Sequence, residues 1–506
     1  MKTPIIIRLG WLLLLVAAVM TACTPEGIPY QEEEPGVFHF SAVVEGKEFK
    51  PVYASEKACI VFVPGGTDLT QLVASFSGEF VSVQVDGKEQ ESGVTANNFS
   101  NYKKGVVYKV EGADGTVIEY NVKVLDSKLP VVVVTTDTQG KINSRTVWRN
   151  AGIRIQDADG SLSLSSHTAI RGRGNWTWEK YPKKPYALKL ENKLPVLGMP
   201  AHKRWVLLAL YRGFIGNDLA FEATRRAPAL GWAPRGRYVE LVLNGQFQGL
   251  YYLCEQIKIA PERVNIQKLT QEDLSYPAVS GGYLLEYDEL YDEDFKFKSS
   301  GFRLPVQLKA PDEDVPDEQF QYIQNFINEM EAEILKIGTG KESRWRDYLD
   351  EDSFADYWLV LETVNNYEAY KPRSVKMFKG RDGVDSPPGT VCKLRAGPLW
   401  DQELFQVEHK FNSKDMYYYK YLFKDPEFVQ TVKRRWATYK DNILGNDTWP
   451  AYLDYLNGVV DLIGDSARRD IAFWSNPYFT LDKEAGTVRK GFKSKINWMD
   501  TQINAL

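Results

Sequence analysis

Cysteine and histidine are scarce: four of each among 506 residues. That is too few for a disulfide scaffold, and His39, His167, His202 and His409 have no metal-ligand spacing. Positive charge is not in excess either. Lys and Arg number 62 against 67 Asp and Glu, a net charge of −5, so no global positive field points to nucleic acid as a partner. Internal repeats and low-complexity blocks are missing. Hydrophobic residues at 43% and charged residues at 25% are ordinary globular usage, which excludes a disordered chain and a multi-span membrane protein. The length predicts roughly two to four domains.

What is present begins with an apolar run. Trp11 to Met20 is too short to cross about 30 Å of hydrocarbon. With Lys2 and Arg8 ahead of it, residues 1–22 read as a signal peptide. Met20-Thr21-Ala22-Cys23 resembles a bacterial lipobox, which implies lipidation at Cys23. Several acyl chains, at about 0.8 kcal/mol per buried CH₂, give stable membrane anchoring. Residues 23–36, with Pro, Gly and Glu, suit a flexible tether. Gln31-Glu32-Glu33-Glu34 resembles the acidic surface-export stretch of some Gram-negative lipoproteins; a plain solvated linker reads equally well. The expected location is therefore the bacterial cell envelope, lipid-anchored at the outer membrane and facing the periplasm or the surface. Cys59, Cys254 and Cys392 form no complete pairing. Each sits among strand-like apolar residues and reads as a buried small hydrophobe.

Residues 37–126 alternate short apolar strands with turns. Examples are Phe38 to Val44, Ile60 to Val63, Val81 to Val85, Val106 to Val110 and Val117 to Val124. Asp-Gly and Gly-Gly turns between them predict a small all-β sandwich. It resembles the immunoglobulin-like modules of bacterial surface lipoproteins, and its expected role is that of a spacer, with ligand binding the alternative.

Residues 129–503 mix both element types, an α+β pattern. Ala187 to Leu190 and Arg204 to Leu210 read as strands, and Asn217 to Arg226 as a helix. Tyr238 to Leu243 and Gln246 to Leu253 flank Asn244-Gly245, the signature of a type I′ hairpin. Asp317 to Ile337 and Asp352 to Asn366 have helical spacing. The chain beyond them reads as mostly helical. Gly397-Pro398-Leu399-Trp400 reads as an apolar strand ending at Asp401. Gly338 to Ser343 hints at a phosphate loop but lacks its first Gly, at Leu335, and follows a helix.

Ordered blocks in this region resemble the spore coat protein H (CotH) kinase family. They include Arg171-Gly172-Arg173-Gly174-Asn175-Trp176, Pro182 to Leu190, Leu197 to Pro200, Lys203 to Leu208, Asn217 to Glu222, Val239 to Gly245, Gly249 to Glu255 and Gly397 to Asp401. The resemblance covers roughly residues 130 to 500. It implies an atypical protein-kinase-like fold that moves the γ-phosphoryl of ATP, with Mg²⁺ or Mn²⁺, to Ser/Thr of a secreted or surface protein of the envelope.

Such chemistry needs cations on the phosphates and carboxylates at the metal and at the acceptor. Residues 171–206 are locally basic. Arg171 and Arg173 share one side of a strand by their period of two. Lys189 lies mid-strand and, with Arg171 and Arg173, is the expected phosphate ligand. Glu222 on the following helix is its expected partner. Asp401, with Glu403, is the expected metal site, and Glu368 the expected base. Three positions depart from the family pattern. Glu403 stands where relatives have Asp, Glu368 stands near the base Asp, and Gly216 stands where relatives place Arg. A base one methylene longer alters a geometry that tolerates fractions of an ångström. The alternative expectation is therefore a catalytically inactive relative serving as a binding or assembly module. Glu286 and Asp288, as paired acids, and the many Trp residues leave a carbohydrate-active reading open.

Overall fold

The computed structural model describes residues 38–445 and 451–506. The signal peptide, Cys23 and the tether lie outside the described residues. Among those described, no helix is long and apolar enough to cross a membrane.

Ten strands come first: β1 (His39–Val44), β2 (Lys47–Phe49), β3 (Pro51–Ser55), β4 (Ala58–Pro64), β5 (Leu72–Ser77), β6 (Ser82–Val85), β7 (Lys88–Glu89), β8 (Ala96–Asn97), β9 (Val106–Glu111) and β10 (Val117–Ser127). They form two sheets, β2-β1-β5-β8 and β3-β4-β10-β9-β6-β7. Period-two alternation points one face of each inward. Phe40 and Ala42 of β1, Phe76 of β5, Val61 of β4 and Tyr108 and Val110 of β9 share one core.

Residues 128–130 alone separate β10 from a seven-stranded closed barrel. Its strands are β11 (Val131–Thr136), β12 (Arg149–Gln156), β13 (Leu162–Gly172), β14 (Tyr186–Val196), β15 (Met199–Leu208), β16 (Gly236–Leu243) and β17 (Gln246–Glu255), closing in the order β11-β12-β13-β14-β15-β17-β16. Tyr186, Leu188, Trp205, Leu207, Tyr251 and Leu253 fill its interior. The alternate residues, Ala187, Val206 and Cys254, lie side by side in register and face outward. The expected hairpin is formed: Asn244 and Gly245 have φ of 49° and 70°, the left-handed pair a type I′ turn requires. The sandwich is seated on the barrel through Ile60, Phe62 and Leu125 against Val131, Val133, Val242 and Phe247. It is docked on the barrel through this shared apolar contact.

The short helix α1 (Trp176–Lys180) links β13 to β14, and α2 (Gly216–Arg225) links β15 to β16. A second sheet follows, made of β18 (Tyr283–Tyr287), β19 (Lys296–Lys298), β20 (Pro305–Ala310), β21 (Val375–Lys379) and β22 (Leu394–Ala396), in the order β19-β20-β18-β21-β22. Around it pack α3 (Asp317–Ile334), α4 (Glu351–Val364), α5 (Tyr419–Leu422), α6 (Pro426–Leu444), α7 (Ala451–Trp474) and α8 (Leu481–Asn504). The chain is thus α+β. Every residue of α4 from Ser353 to Val364 is buried, so it is the central helix. Asp350 caps its start by accepting from Ser353 N at 2.9 Å. Asn365, at φ 54°, ends it two residues before its expected stop and turns the chain toward Glu368. Gly397 to Trp400 is an irregular crossing rather than the expected strand; β22 ends at Ala396. Cys59, Cys254 and Cys392 are buried, as their surroundings predict.

Candidate active site

The outer face of the barrel and the second sheet pack into one core, with Val206, Tyr252 and Cys254 in the same cluster as Leu285, Val306 and Met377, and beside it lies a group of charged side chains. Arg173 enters this group directly after β13. Gly172 permits this, because a Cβ there would lie 2.4 Å from the Trp178 ring. The Arg173 guanidinium sits over the Trp400 ring, 5.5 Å from its centroid. Burial pushes its pKa down, and the nearby Asp401 carboxylate pushes it back up.

Asp401 follows Trp400 with φ 68°, in the left-handed region. Two asparagines hold the loop it stands on. Asn217 of α2 accepts from Gln402 N at 3.0 Å, and Asn366 donates to the Asp401 carbonyl at 3.3 Å and to Gln402 Oε1 at 2.7 Å. Gln402 donates onward to the carbonyls of Val364 and Leu404 at 3.1 and 2.6 Å. The loop is therefore tied to α2, to the end of α4 and to itself.

Burial raises the Asp401 pKa, while Arg173, Lys376 and a hydrogen bond from Ser374 oppose the rise. Glu403 is pushed up to about 7 by burial and then by Asp401, with Arg212 at 3.7 Å as partial compensation. Burial and Asp401 also raise Glu368. Asp401, Glu403 and Glu368 therefore feel one another across a shared space, with Arg173 as the opposing cation. Asp401 raises both Glu403 and Glu368, so these acids are short of positive charge, which fits a hard divalent cation. Among the described residues, no group of three or more His, Cys, Asp or Glu is placed to hold a metal ion; Asp401 and Glu403 are the acids that would hold a cation here.

The other expected cations are placed differently. Lys189 is exposed on the outer side of β14, in register with Ala169 and Arg204. The expected Lys189–Glu222 pair is not formed. Arg225 and Arg226 hold Glu222 at 2.9 and 2.8 Å within or just beyond its own helix, because residues three and four apart share a helix face. Arg171 lies near Arg173 but donates to the Arg145 carbonyl and stacks on Trp148 at 4.8 Å, with Arg204 on the same ring at 5.1 Å.

The charged group also contains an ion-pair network for which the sequence offers no family motif. Glu286 on β18 pairs with Lys376, its register partner on β21, and with Lys309 of β20 at 3.3 Å; Lys309 also meets Glu293. Burial would raise Glu286, but the two ammonium groups outweigh it and hold the acid at about 2. Read only as half of an acidic pair with Asp288, Glu286 loses its real partner. The available signal was a lone acid inside the apolar run Tyr283-Leu284-Leu285-Glu286-Tyr287, which a strand can bury only against a cation.

A family model described as CotH kinase protein matches residues 170–503. No curated protein matches the chain. A solved structure described as a candidate glycoside hydrolase from Bacteroides thetaiotaomicron is 16% identical, covering 55% of this chain and 68% of that one, with a TM-score of 0.16. A superposition that poor carries no argument about this site. The matched blocks and the asparagine-tied Asp401 loop fall in the same segment, and the chain belongs to the CotH kinase protein family.

Proposed function

We propose that this chain is an envelope phosphotransferase of the CotH type, moving the γ-phosphoryl of ATP to a Ser/Thr hydroxyl of a secreted or surface protein. The observation that carries the reading is the convergence of Arg173, Glu368 and the Asp401–Glu403 loop, three separate segments of the chain, into one electrostatically coupled group. Arg173, fixed over Trp400, orients the phosphates. Mg²⁺ or Mn²⁺ held by Asp401 and Glu403 supplies neutralisation of the phosphate charge. Glu368 accepts the hydroxyl proton as the acceptor oxygen bonds to the γ-phosphorus and the bond to the bridging oxygen of ADP breaks. Its raised pKa brings it closer to the working range of a general base. Arg173 thus takes the role expected of Lys189.

The N-terminal sandwich is read as immunoglobulin-like, and Cys23 as the lipid attachment that places the site on the envelope. Incubation with γ-labelled ATP, Mn²⁺ and a Ser-rich acceptor tests the enzymatic reading. Label above an Asp401→Ala control is expected, and equal label in both removes the reading. One observation favours a second reading, a binding module without transfer: Glu222 is held within its own helical neighbourhood and Lys189 faces solvent. A rise in melting temperature with ATP and Mn²⁺ but no transfer would select it.

A further inference from the structure

A cavity of about 630 Å³ lies between the segment after β17 and the β21–β22 hairpin. None of Arg173, Glu286, Glu368, Asp401 or Glu403 lines it. Its wall is nevertheless joined to the charged group. Trp232 and Phe378, which line the cavity, belong to one apolar cluster with Trp400, the ring beneath Arg173.

The hairpin wall is fixed rather than draped. Asp382 accepts from Lys379 Nζ at 2.9 Å and from Cys392 N at 2.8 Å, and its own N donates to Ser280 Oγ at 2.9 Å. Asp385 accepts from Gln267 N at 2.9 Å and Arg381 N at 2.7 Å. Asp350, the other acid in the lining, is held by Ser353 N at 2.9 Å and Arg395 at 3.5 Å. Both acids of the lining are therefore satisfied from within.

The donors are not. Trp232 Nε1 and Arg263 Nη2 are buried without a hydrogen-bond partner, and Arg263 is only 3% exposed. Buried donors left unmade are rare and mark a missing partner. Lys393, exposed at the rim, has no ion pair among the described residues. Between these groups the lining is apolar, with Val264, Ile266, Phe378 and Val391. The volume falls within the roughly 300–1,000 Å³ of small-molecule sites. We infer that this cavity is a second binding site, separate from the acidic group, for a small organic anion with an aromatic or branched apolar body. The apolar part packs on Phe378 and Ile266, and the acid group answers Arg263, Trp232 and Lys393.

The test uses the full chain and the aromatic anion 8-anilinonaphthalene-1-sulfonate, followed by its fluorescence and by energy transfer from tryptophan. One saturable site per chain is expected. Lys393→Glu should weaken it roughly fivefold or more, and Trp232→Phe should weaken it while keeping the shape, since each removes one favourable contact to the acid group. Val391→Trp, at an exposed rim position, should block entry with the melting temperature unchanged. The uncharged N-phenyl-1-naphthylamine should bind at least about tenfold more weakly. ATP with Mn²⁺ should not displace the probe. Absence of saturable binding, equal affinity for the uncharged probe, indifference to all three variants, or displacement by ATP would each overturn the inference. None of these readouts depends on phosphoryl transfer.

Discussion

Gly216 and Gln402 meet backbone against backbone. A Cβ on Gly216 would lie 2.4 Å from the Gln402 carbonyl oxygen and 2.5 Å from that of Glu403. The start of α2 is therefore a seat for the loop carrying Asp401 and Glu403. The approach leaves no room for a side chain at this position. Gly216→Ala should cost about 1–3 kcal/mol in urea unfolding, as overpacking does. Gly458→Ala in α7, where an added Cβ meets nothing within 4 Å, should be neutral or stabilising by about 0.5–1 kcal/mol. Equal effects of the two would show that the loop yields freely.

Glu368 and Arg173 have separable roles in the proposed transfer. Glu368→Gln should lower the labelling rate by about 10²–10⁴-fold, the range of general-base catalysis, while the melting shift with ATP and Mn²⁺ persists. Arg173→Met should reduce both, because it removes the phosphate contact and the cation facing Asp401. A Glu368→Gln variant that loses the ligand shift would move that residue from the acceptor side to the ligand side.

The acids proposed to hold the metal predict a pH dependence with a definite sign. Glu403 is held at about 7 against an ordinary 4.5, so the fold favours its protonated form. Its ionisation therefore destabilises the folded chain as pH rises from about 4.5 through about 7, and has no effect below that window. A divalent cation needs the ionised form. With a pKa near 7, the ionised fraction rises about tenfold between pH 6 and pH 8. Mn²⁺ should bind roughly tenfold more weakly at pH 6, and Glu403→Gln should flatten that dependence. Titration of the melting shift against Mn²⁺ at both pH values measures it.

Much of this was legible beforehand. The Asn-Gly hairpin, the central helix at Glu351–Val364 and the buried cysteines follow from local patterns, because turn chemistry and apolar periodicity act over a few residues. The blocks that show the family are contiguous and readable. The placement of Lys189 was not. Period-two alternation puts it opposite Leu188 and Leu190, but only closure of the barrel decides which part of the outer surface lies over the charged group. Glu286, Lys309 and Lys376 were hidden for the same reason, since their pairing depends on the register of β18 with its two neighbours. The roles of Asn217 and Asn366 depend on a crossing that has no regular secondary structure.

Lys183 and Asp470 give the last prediction. Lys183 lies on the segment between Arg173 and β14, and its side chain is fully buried. It donates to Asp470 of α7 at 2.6 Å, and Asp470 also accepts from Leu250 N at 2.8 Å. The pair pins the Arg173 segment to a helix on the far side of β17. Gly249 makes room for it, because a Cβ there would lie 2.0 Å from Asp470 Oδ1. Burial raises Asp470 to about 6 even with Lys183 beside it. Lys183→Met leaves that carboxylate without its cation, and should cost about 3–5 kcal/mol in urea unfolding. Lys183→Met combined with Asp470→Asn removes both charges and should recover part of the loss. If the double variant is as unstable as the single one, packing of the Lys183 stem, rather than the charge pair, holds the segment. If the single variant is no less stable than the parent, the Arg173 segment is held elsewhere, and its position over Trp400 does not depend on α7.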